Sequence, residues 1–381
     1  NDPHLPQTTP GFWHLQHHMV DGRMAAGGSL PGQPGIIVGH NSSLAWGVTN
    51  ALVDVRDYAY VEVHPENPDR YRRGPNEPWQ DFDLRVEKIH VRFGKDLTET
   101  IRSTTQGVST PPLLGTFGML DREGLALEIR DVATDQVSTS PVALLRLHRA
   151  GTVDEGIQAG EAFTSPALNI SLADTDGAIG YVTVVRIPLR PEEYARTVDL
   201  GPADGNERTY LPYPQNPRVV NPSSGRIVTA NQRIIGKEYP HYLTDNWAAP
   251  YRAWRIHELL DQQKIHDVDS FRSMQMDSLS PVARELMPFL LETQPADEAD
   301  ARLMDILRAW DYRFTLDAPA PVAWLTWFEF LSRRVVADDT GATPARWRVH
   351  LYSPLVRALG GEHPEWCDDL GTSALELSLI H

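Results

Sequence analysis

The sequence predicts an α+β fold in which strands fill the first two-thirds of the chain and helices fill the remainder. Short alternating apolar runs, such as residues 58–63 and 86–93, are typical of half-buried strands. From about residue 248 the apolar positions repeat with helical spacing instead. We therefore expect a β-rich part over residues 1–247 and a helical segment over 248–381.

The first 247 residues predict strands joined by turns, with one helical interruption. In chain order the predictions are strands and loops over 1–110, a strand over 124–132, helices over 141–163, a hairpin over 169–185, a loop over 186–222 and a strand over 225–236. The hairpin is expected because two alternating runs flank a turn that ends in Gly177.

The second part contains four stretches with helical spacing. They cover residues 251–263, 280–294, 296–310 and 321–336. Ser280 followed by Pro281 is typical of a helix start, since serine caps the first turn and proline suits its first position.

Composition and charge exclude several classes of function. The formal net charge is −16, whereas proteins that bind nucleic acid or anionic membranes need basic patches. No run of about eighteen apolar residues predicts a membrane span. The single cysteine, Cys367, excludes an internal disulfide. The sequence also lacks zinc-ligand spacing, a phosphate loop, a dinucleotide-binding glycine motif and a Gly-x-Ser-x-Gly elbow.

Two polar stretches suit the stabilisation of a developing negative charge. His40 and Asn41 follow a rigid Pro/Gly turn, and Asn231 stands at the end of a predicted strand. Backbone N–H groups and asparagine amides at such positions can donate to an oxyanion. On the residues alone, ordinary turn and strand contacts explain the same pattern.

Two groups of side chains suggest a metal ion. Asp54 and Asp57 are three positions apart, so they can share a hard cation or form a solvated pair. His14, His17 and His18 are close in sequence, but no cysteine or acidic partner has ligand spacing nearby. Surface or core histidines are therefore the preferred interpretation of that cluster.

Five stretches, in this order, resemble the β-subunit of the penicillin acylase family, which includes cephalosporin acylases and acyl-homoserine-lactone acylases. They are NDPHL at the start of the chain and residues 31–62, 174–190, 221–233 and 251–260. The resemblance implies the fold of an N-terminal nucleophile hydrolase, a four-layer α-β-β-α sandwich that is partial here, with a helical C-terminal segment. It also implies hydrolysis of linear amide bonds.

The resemblance further implies that the nucleophile is the N-terminal serine of the β-subunit and that its own α-amine acts as base. It places this serine upstream of Asn1, so we expect a β-subunit truncated at both ends and inactive alone. The expected partners are the α-subunit of the same precursor and a small amide substrate, either a β-lactam antibiotic or an acyl-homoserine lactone. The expected location is periplasmic or secreted. The alternative is a catalytically inactive fragment that serves as a binding or scaffold module.

Site residues follow from the same resemblance. Asn231, through its side chain, and Asn50, through its backbone N–H, correspond to oxyanion donors. His4 corresponds to a residue whose backbone contributes to that site, and Arg255 to an arginine that orders the active-site hydrogen bonds. A structural calcium ion is expected, and one of its ligands belongs to the α-subunit. Its ligands in this chain would be the side chains of Asp54, Asp57 and Asp245 and the backbone oxygens near Arg56 and Pro188.

Overall fold

The computed structural model describes residues 5–6, 8–105, 107–109, 122–135, 137–190 and 208–340, with side chains in the last helix described as far as Ser332. The chain divides into two compact units, Asn1–Trp247 and Ala248–His381. The α+β expectation is confirmed. His4 and Cys367 lie outside the described residues.

The first sheet of the first unit is entirely antiparallel. Among the described residues it has seven strands in the spatial order β1-β2-β3-β4-β12-β13-β14. They are β1 (His14–Val20), β2 (Arg23–Ser29), β3 (Val38–Asn41), β4 (Leu44–Asn50), β12 (Leu168–Asp174), β13 (Ile179–Val184) and β14 (Arg218–Val220). The predicted hairpin is β12 and β13, and its turn contains Gly177 at a φ of +89°, which glycine adopts without strain.

The second sheet is also antiparallel and, in the described residues, has seven strands in the order β7-β6-β5-β11-β10-β9-β8. They are β5 (Arg56–His64), β6 (Asn67–Arg72), β7 (Gln80–Asp81), β8 (Asp83–Ile89), β9 (Leu97–Ser103), β10 (Val108–Ser109) and β11 (Leu125–Asp131). Residues 51–55 lead the chain from the end of β4 in the first sheet to β5 in the second.

Three helices follow the last strand of the second sheet, and two of them cover one face of the first sheet. They are α1 (Val132–Asp135), α2 (Ser140–Leu147) and α3 (Val153–Ala159). Alternate residues of β4, β12 and β13, including Trp46, Ile170 and Val182, form one buried apolar cluster with Leu147 of α2 and Ile157 of α3. Because side chains alternate along a strand, Thr49, Asn169 and Thr183 lie on the opposite face.

The second unit is helical in its described residues. Its helices are α4 (Tyr251–Asp261), α5 (Val268–Gln275), α6 (Pro281–Leu291), α7 (Glu298–Arg308) and α8 (Ala320–Thr340). Ser280 caps α6 by accepting a hydrogen bond from the N–H of Ala283, which confirms the predicted helix start. Among the described helices, none combines the length and apolar character that a membrane crossing requires.

Two sequence-based expectations about local structure are wrong. Residues 225–236 form turns and irregular backbone instead of a strand, because Asn231 has a φ of +66°, which breaks an extended conformation. Strand β8 ends at Ile89, four residues before the end of the alternating run, and Phe93 has a φ of +64°.

Candidate active site

At the end of strand β4, the N–H and C=O of one residue point away from the neighbouring strand β12. The N–H of Ala51 donates to the carbonyl of Ala167 at 3.1 Å, so these two residues face each other in the ladder. Hydrogen-bonding groups alternate between the two edges of a strand. The N–H and C=O of Asn50 therefore both point to the edge opposite β12. On β4, the register partners of β3 are Ala45 and Trp46. The edge of β4 that carries the N–H and C=O of Asn50 therefore continues beyond its pairing with β3.

Asn231 lies at that edge. Its backbone is left-handed, with a φ of +66°, and asparagine is one of the few residues that adopts this conformation readily. Its side chain is buried, with 5% exposure. Its Nδ2 donates to the carbonyl oxygen of Asn50 at 2.7 Å across 181 positions of sequence. The fold thus brings together both residues that the sequence interpretation assigned as oxyanion donors.

The other two residues assigned to catalysis are not part of this contact. His4 is outside the described residues. Arg255 lies on α4 in the second unit, where its guanidinium forms two hydrogen bonds to Asp277, at 2.8 and 2.9 Å, and one to Glu258 at 2.9 Å. Hydrogen bonding to Asp277 raises the pKa of Arg255 above its ordinary value. The assigned role of Arg255 in the active site stays a prediction.

Two of the three carboxylates assigned to calcium, those of Asp54 and Asp57, contact arginines. Arg190 donates from Nε to Oδ1 of Asp57 at 2.9 Å and from Nη1 to the backbone oxygen of Asp54 at 3.0 Å. Arg208 contacts Oδ2 of Asp57 at 2.6 Å and Oδ2 of Asp135 at 3.0 Å. Both guanidinium groups are nearly buried, at 8% and 11% exposure. They therefore supply positive charge to the same oxygen atoms that an ion would use.

The remaining assigned ligands approach the same region by backbone contacts. The N–H of Asp54 donates to the carbonyl of Leu243 at 2.8 Å, which brings the segment containing Asp245 beside it. Burial, with further contributions from Asp245 and Asp54, raises the pKa of Tyr242. Pro188 forms an isolated bridge with Tyr210.

Oxygen donors suit calcium in their chemistry, so the residues assigned to the ion are of the right type. No three acidic, histidine or cysteine side chains in the described part of the chain are grouped so that they could hold a metal ion. Burial raises the pKa of Asp54 against the effect of Arg190. Calcium binding by Asp54, Asp57 and Asp245 stays a prediction, and no catalytic step below depends on it.

We expect Arg190→Met to destabilise the first unit, because it removes a nearly buried cation from two carboxylates. Breaking a buried ion pair costs about 3–5 kcal/mol, but Asp54 and Asp57 are 38% and 37% exposed. We therefore expect the free energy of unfolding in urea to fall by roughly 1–3 kcal/mol.

The matched control is Arg272→Met, because Arg272 and its partner Asp269 are 72% and 84% exposed. This variant should change the free energy of unfolding by less than about 0.5 kcal/mol. Equal losses in the two variants would contradict a structural role for Arg190. Melting of the wild type with calcium and with a chelator tests the ion itself, since a calcium-dependent melting temperature supports binding at these carboxylates.

Several residues of this region were not found from the sequence. Arg190 lies in the predicted loop 186–222, and Arg208 lies eighteen positions beyond Arg190. The only available signal was their basic character. The histidine cluster of the sequence interpretation lies on β1, where His14, His17 and His18 are all exposed.

Comparisons with known proteins agree on one family. The penicillin amidase family model matches residues 1–378. The penicillin acylase 2 proenzyme of a Pseudomonas species is 33% identical over 346 residues, which are 88% of this chain and 42% of that protein. The acyl-homoserine lactone acylase QuiP of Pseudomonas aeruginosa is 27% identical over 365 residues, which are 90% of this chain and 42% of that protein. The chain thus spans less than half the length of either relative.

A solved structure supports the fold. The thermostable penicillin G acylase from Alcaligenes faecalis superimposes with a TM-score of 0.70 over 89% of this chain and 61% of that chain. Its sequence identity is 23%, so the likeness is one of fold. The expected N-terminal nucleophile hydrolase fold is confirmed.

Proposed function

The chain belongs to the penicillin amidase family, and we propose that the protein containing it hydrolyses linear amide bonds through an acyl-enzyme. Two kinds of support carry this proposal. The relatives in the comparison are named as acylases of penicillins and of acyl-homoserine lactones. The geometry adds a site suited to acyl transfer, because Asn231 and Asn50 meet at the end of a strand.

In the proposed reaction, a serine hydroxyl at the start of the β-subunit attacks the amide carbonyl carbon. The free α-amine of that serine takes the hydroxyl proton, so no separate histidine is required. The carbonyl oxygen becomes an oxyanion, which the N–H of Asn50 and the amide of Asn231 stabilise by donating hydrogen bonds. The proton then passes to the leaving amine as the C–N bond breaks, and water later releases the acid from the serine ester.

The observation that carries this assignment is the hydrogen bond from Asn231 to Asn50. An amide side chain must be held in a fixed orientation to stabilise an oxyanion efficiently, since preorganised donors need no rearrangement during the reaction. The left-handed backbone and the burial of Asn231 restrict this amide, and the Asn50 carbonyl fixes its direction. Such restriction is typical of functional positions.

We expect residues 1–381 alone to hydrolyse no amide, whereas the full-length protein hydrolyses members of a substrate panel. The reason is that the proposed nucleophile and its amine lie upstream of Asn1. The panel contains penicillins and N-acyl-homoserine lactones with aromatic and aliphatic acyl groups, and released amine is measured. Turnover by residues 1–381 would contradict the nucleophile assignment.

The same experiment separates the alternative function. A full-length protein that binds these amides but never turns them over supports a binding or scaffold module. Copurification of a second polypeptide that is encoded in the same reading frame would support the proposed α-subunit. A cleaved leader in that reading frame would support the proposed periplasmic or secreted location.

A further inference from the structure

A row of buried polar side chains crosses three neighbouring strands beneath the candidate site. Thr49 on β4, Asn169 on β12 and Thr183 on β13 are direct register partners, and Tyr181 lies two residues before Thr183. All four are buried, with exposures between 0% and 7%. Buried polar groups cost free energy unless they are hydrogen-bonded, so this row requires a network.

The network fixes the orientation of the Asn169 amide. Tyr181 donates its hydroxyl proton to Oδ1 of Asn169 at 2.7 Å, and the hydroxyl of Thr183 lies 3.3 Å from the same oxygen. An amide oxygen accepts hydrogen bonds and its nitrogen donates them. Because Oδ1 faces β13, Nδ2 must face β4. Burial raises the pKa of Tyr181, so its phenol remains a donor at neutral pH.

On the other side, Asn169 contacts the end of β4, which carries Asn50, and is linked through Thr49 to the segment that carries Asn231. Its Nδ2 donates to Oγ1 of Thr49 at 3.2 Å and lies 3.4 Å from the carbonyl oxygen of Asn50. Thr49 in turn donates to Oγ1 of Thr229 at 3.0 Å, and Thr229 precedes Asn231 by two residues. The carbonyl of Asn50 is therefore shared by the amides of Asn169 and Asn231.

The position of this network argues against a purely space-filling role. One step further along the same face, the corresponding row is apolar and contains Ala51, Ala167 and Val185. An apolar residue at position 169 would likewise fill the space, and it would avoid the desolvation cost of a buried amide. The polar row occurs where β4 ends and where the irregular segment 225–236 must be held against it.

We propose that Asn169 is a positioning residue for the oxyanion site, holding the Asn50 peptide and the Asn231 segment in a fixed relative geometry. This inference rests on the proposed function, since it assigns Asn50 and Asn231 as the donors. Displacement of catalytic groups by about 1 Å can cost a factor of 10² in rate. Loss of Asn169 should therefore lower kcat while the KM for substrate changes little.

The test is Asn169→Leu in the full-length protein, with kcat and KM measured on the best amide of the panel. We expect kcat to fall by about 10- to 100-fold, with KM changed by less than about threefold. Thr49→Val removes the link to Thr229 and one acceptor of the Asn169 amide, but it keeps the contact of Asn169 with the Asn50 carbonyl, so it should lower kcat by a smaller factor. This second variant keeps the proposal testable if Asn169→Leu does not fold.

The matched control is Asn216→Leu. Asn216 is equally buried, at 2% exposure, and its Nδ2 donates to the carbonyls of Thr183 and Val185 at 3.1 Å each. Asn216 therefore supports the end of β13, and it contacts neither proposed donor. We expect both Asn169→Leu and Asn216→Leu to lower the melting temperature, since each removes a buried, hydrogen-bonded amide, but Asn216→Leu should leave kcat within about twofold.

The outcomes separate the two proposals. Equal kcat for Asn169→Leu and Asn216→Leu would overturn the positioning role. If Asn231→Gly greatly lowers kcat in the same assay, the proposed function stands even when the positioning role fails. If Asn231→Gly also has normal kcat, the oxyanion assignment itself is wrong. A fall in kcat for Asn169→Leu and not for Asn216→Leu supports positioning.

Discussion

Asn231→Gly in the full-length protein should lower kcat by about 10²–10³-fold, because it removes an oxyanion donor. Glycine is the appropriate replacement, since residue 231 has a φ of +66° and glycine adopts that conformation without strain. Alanine would add backbone strain to the loss of the amide. Initial rates over a range of substrate concentrations give kcat and KM separately.

The control for this variant is Asn221→Gly. Asn221 also has a left-handed backbone, with a φ of +46°, and its Oδ1 accepts from the N–H of Ile179 at 2.9 Å. It is exposed and lies at β14, away from the contact between Asn231 and Asn50. Asn221→Gly should leave kcat unchanged, and near-normal turnover by Asn231→Gly would remove Asn231 from the site.

Glu128→Gln should cause a large loss of stability. Glu128 is completely buried on β11, where its carboxylate accepts from Arg73 at 3.1 Å, from Arg130 at 2.6 Å and from Thr104 at 2.6 Å. Glutamine keeps the shape but leaves the buried Arg73 guanidinium without its counter-charge. Removing one partner of such a pair should lower the free energy of unfolding by about 3–5 kcal/mol, which urea titration at pH 7 measures.

The matched control lies in the same sheet. Glu87 on β8 pairs with Arg85 at 3.0 Å, but these side chains are 45% and 71% exposed. Glu87→Gln should therefore change the free energy of unfolding by no more than about 1 kcal/mol. A similar loss in the two variants would contradict the importance of the buried carboxylate.

The contribution of Glu128 to the free energy of unfolding should also depend on pH. Burial alone would raise the pKa of Glu128, but hydrogen bonds from Arg73, Thr104 and Arg130 outweigh it and hold the pKa below its ordinary value of 4.5. A group with a lowered folded pKa contributes stability that is fully present above the unfolded pKa. This contribution is lost as pH falls through the folded pKa. The difference between wild type and Glu128→Gln should therefore shrink below about pH 4.5.

Local patterns predicted the elements whose signals are contained in neighbouring residues. The alternating run of β5, the hairpin of β12 and β13, and the capped start of α6 at Ser280 all agree with the structure. The irregular segment 225–236 was mispredicted as a strand. Its conformation depends instead on a left-handed residue, Asn231, and on contacts with β4.

The sequence predicted which residues belong to the candidate site, but not how they are arranged. The resemblance named Asn50 and Asn231, but no pattern in the chain indicates that residues 181 positions apart share a hydrogen bond. Asn169 carries no recognisable motif, because its importance comes from register with Thr49 and Thr183 on neighbouring strands. Arg190 was likewise unremarked until the fold brought it to Asp57.

The sequence by itself determined the α+β class, most strands and helices, and membership of a family, because periodicity and ordered motifs are properties of neighbouring residues. Tertiary structure decided which polar groups meet. It directed the N–H and C=O of Asn50 to the edge of β4 opposite β12 and set the Asn231 amide on the Asn50 carbonyl. It also paired the carboxylate of Asp57 with two arginines. These contacts depend on strand order and register, which bring distant residues within hydrogen-bonding distance.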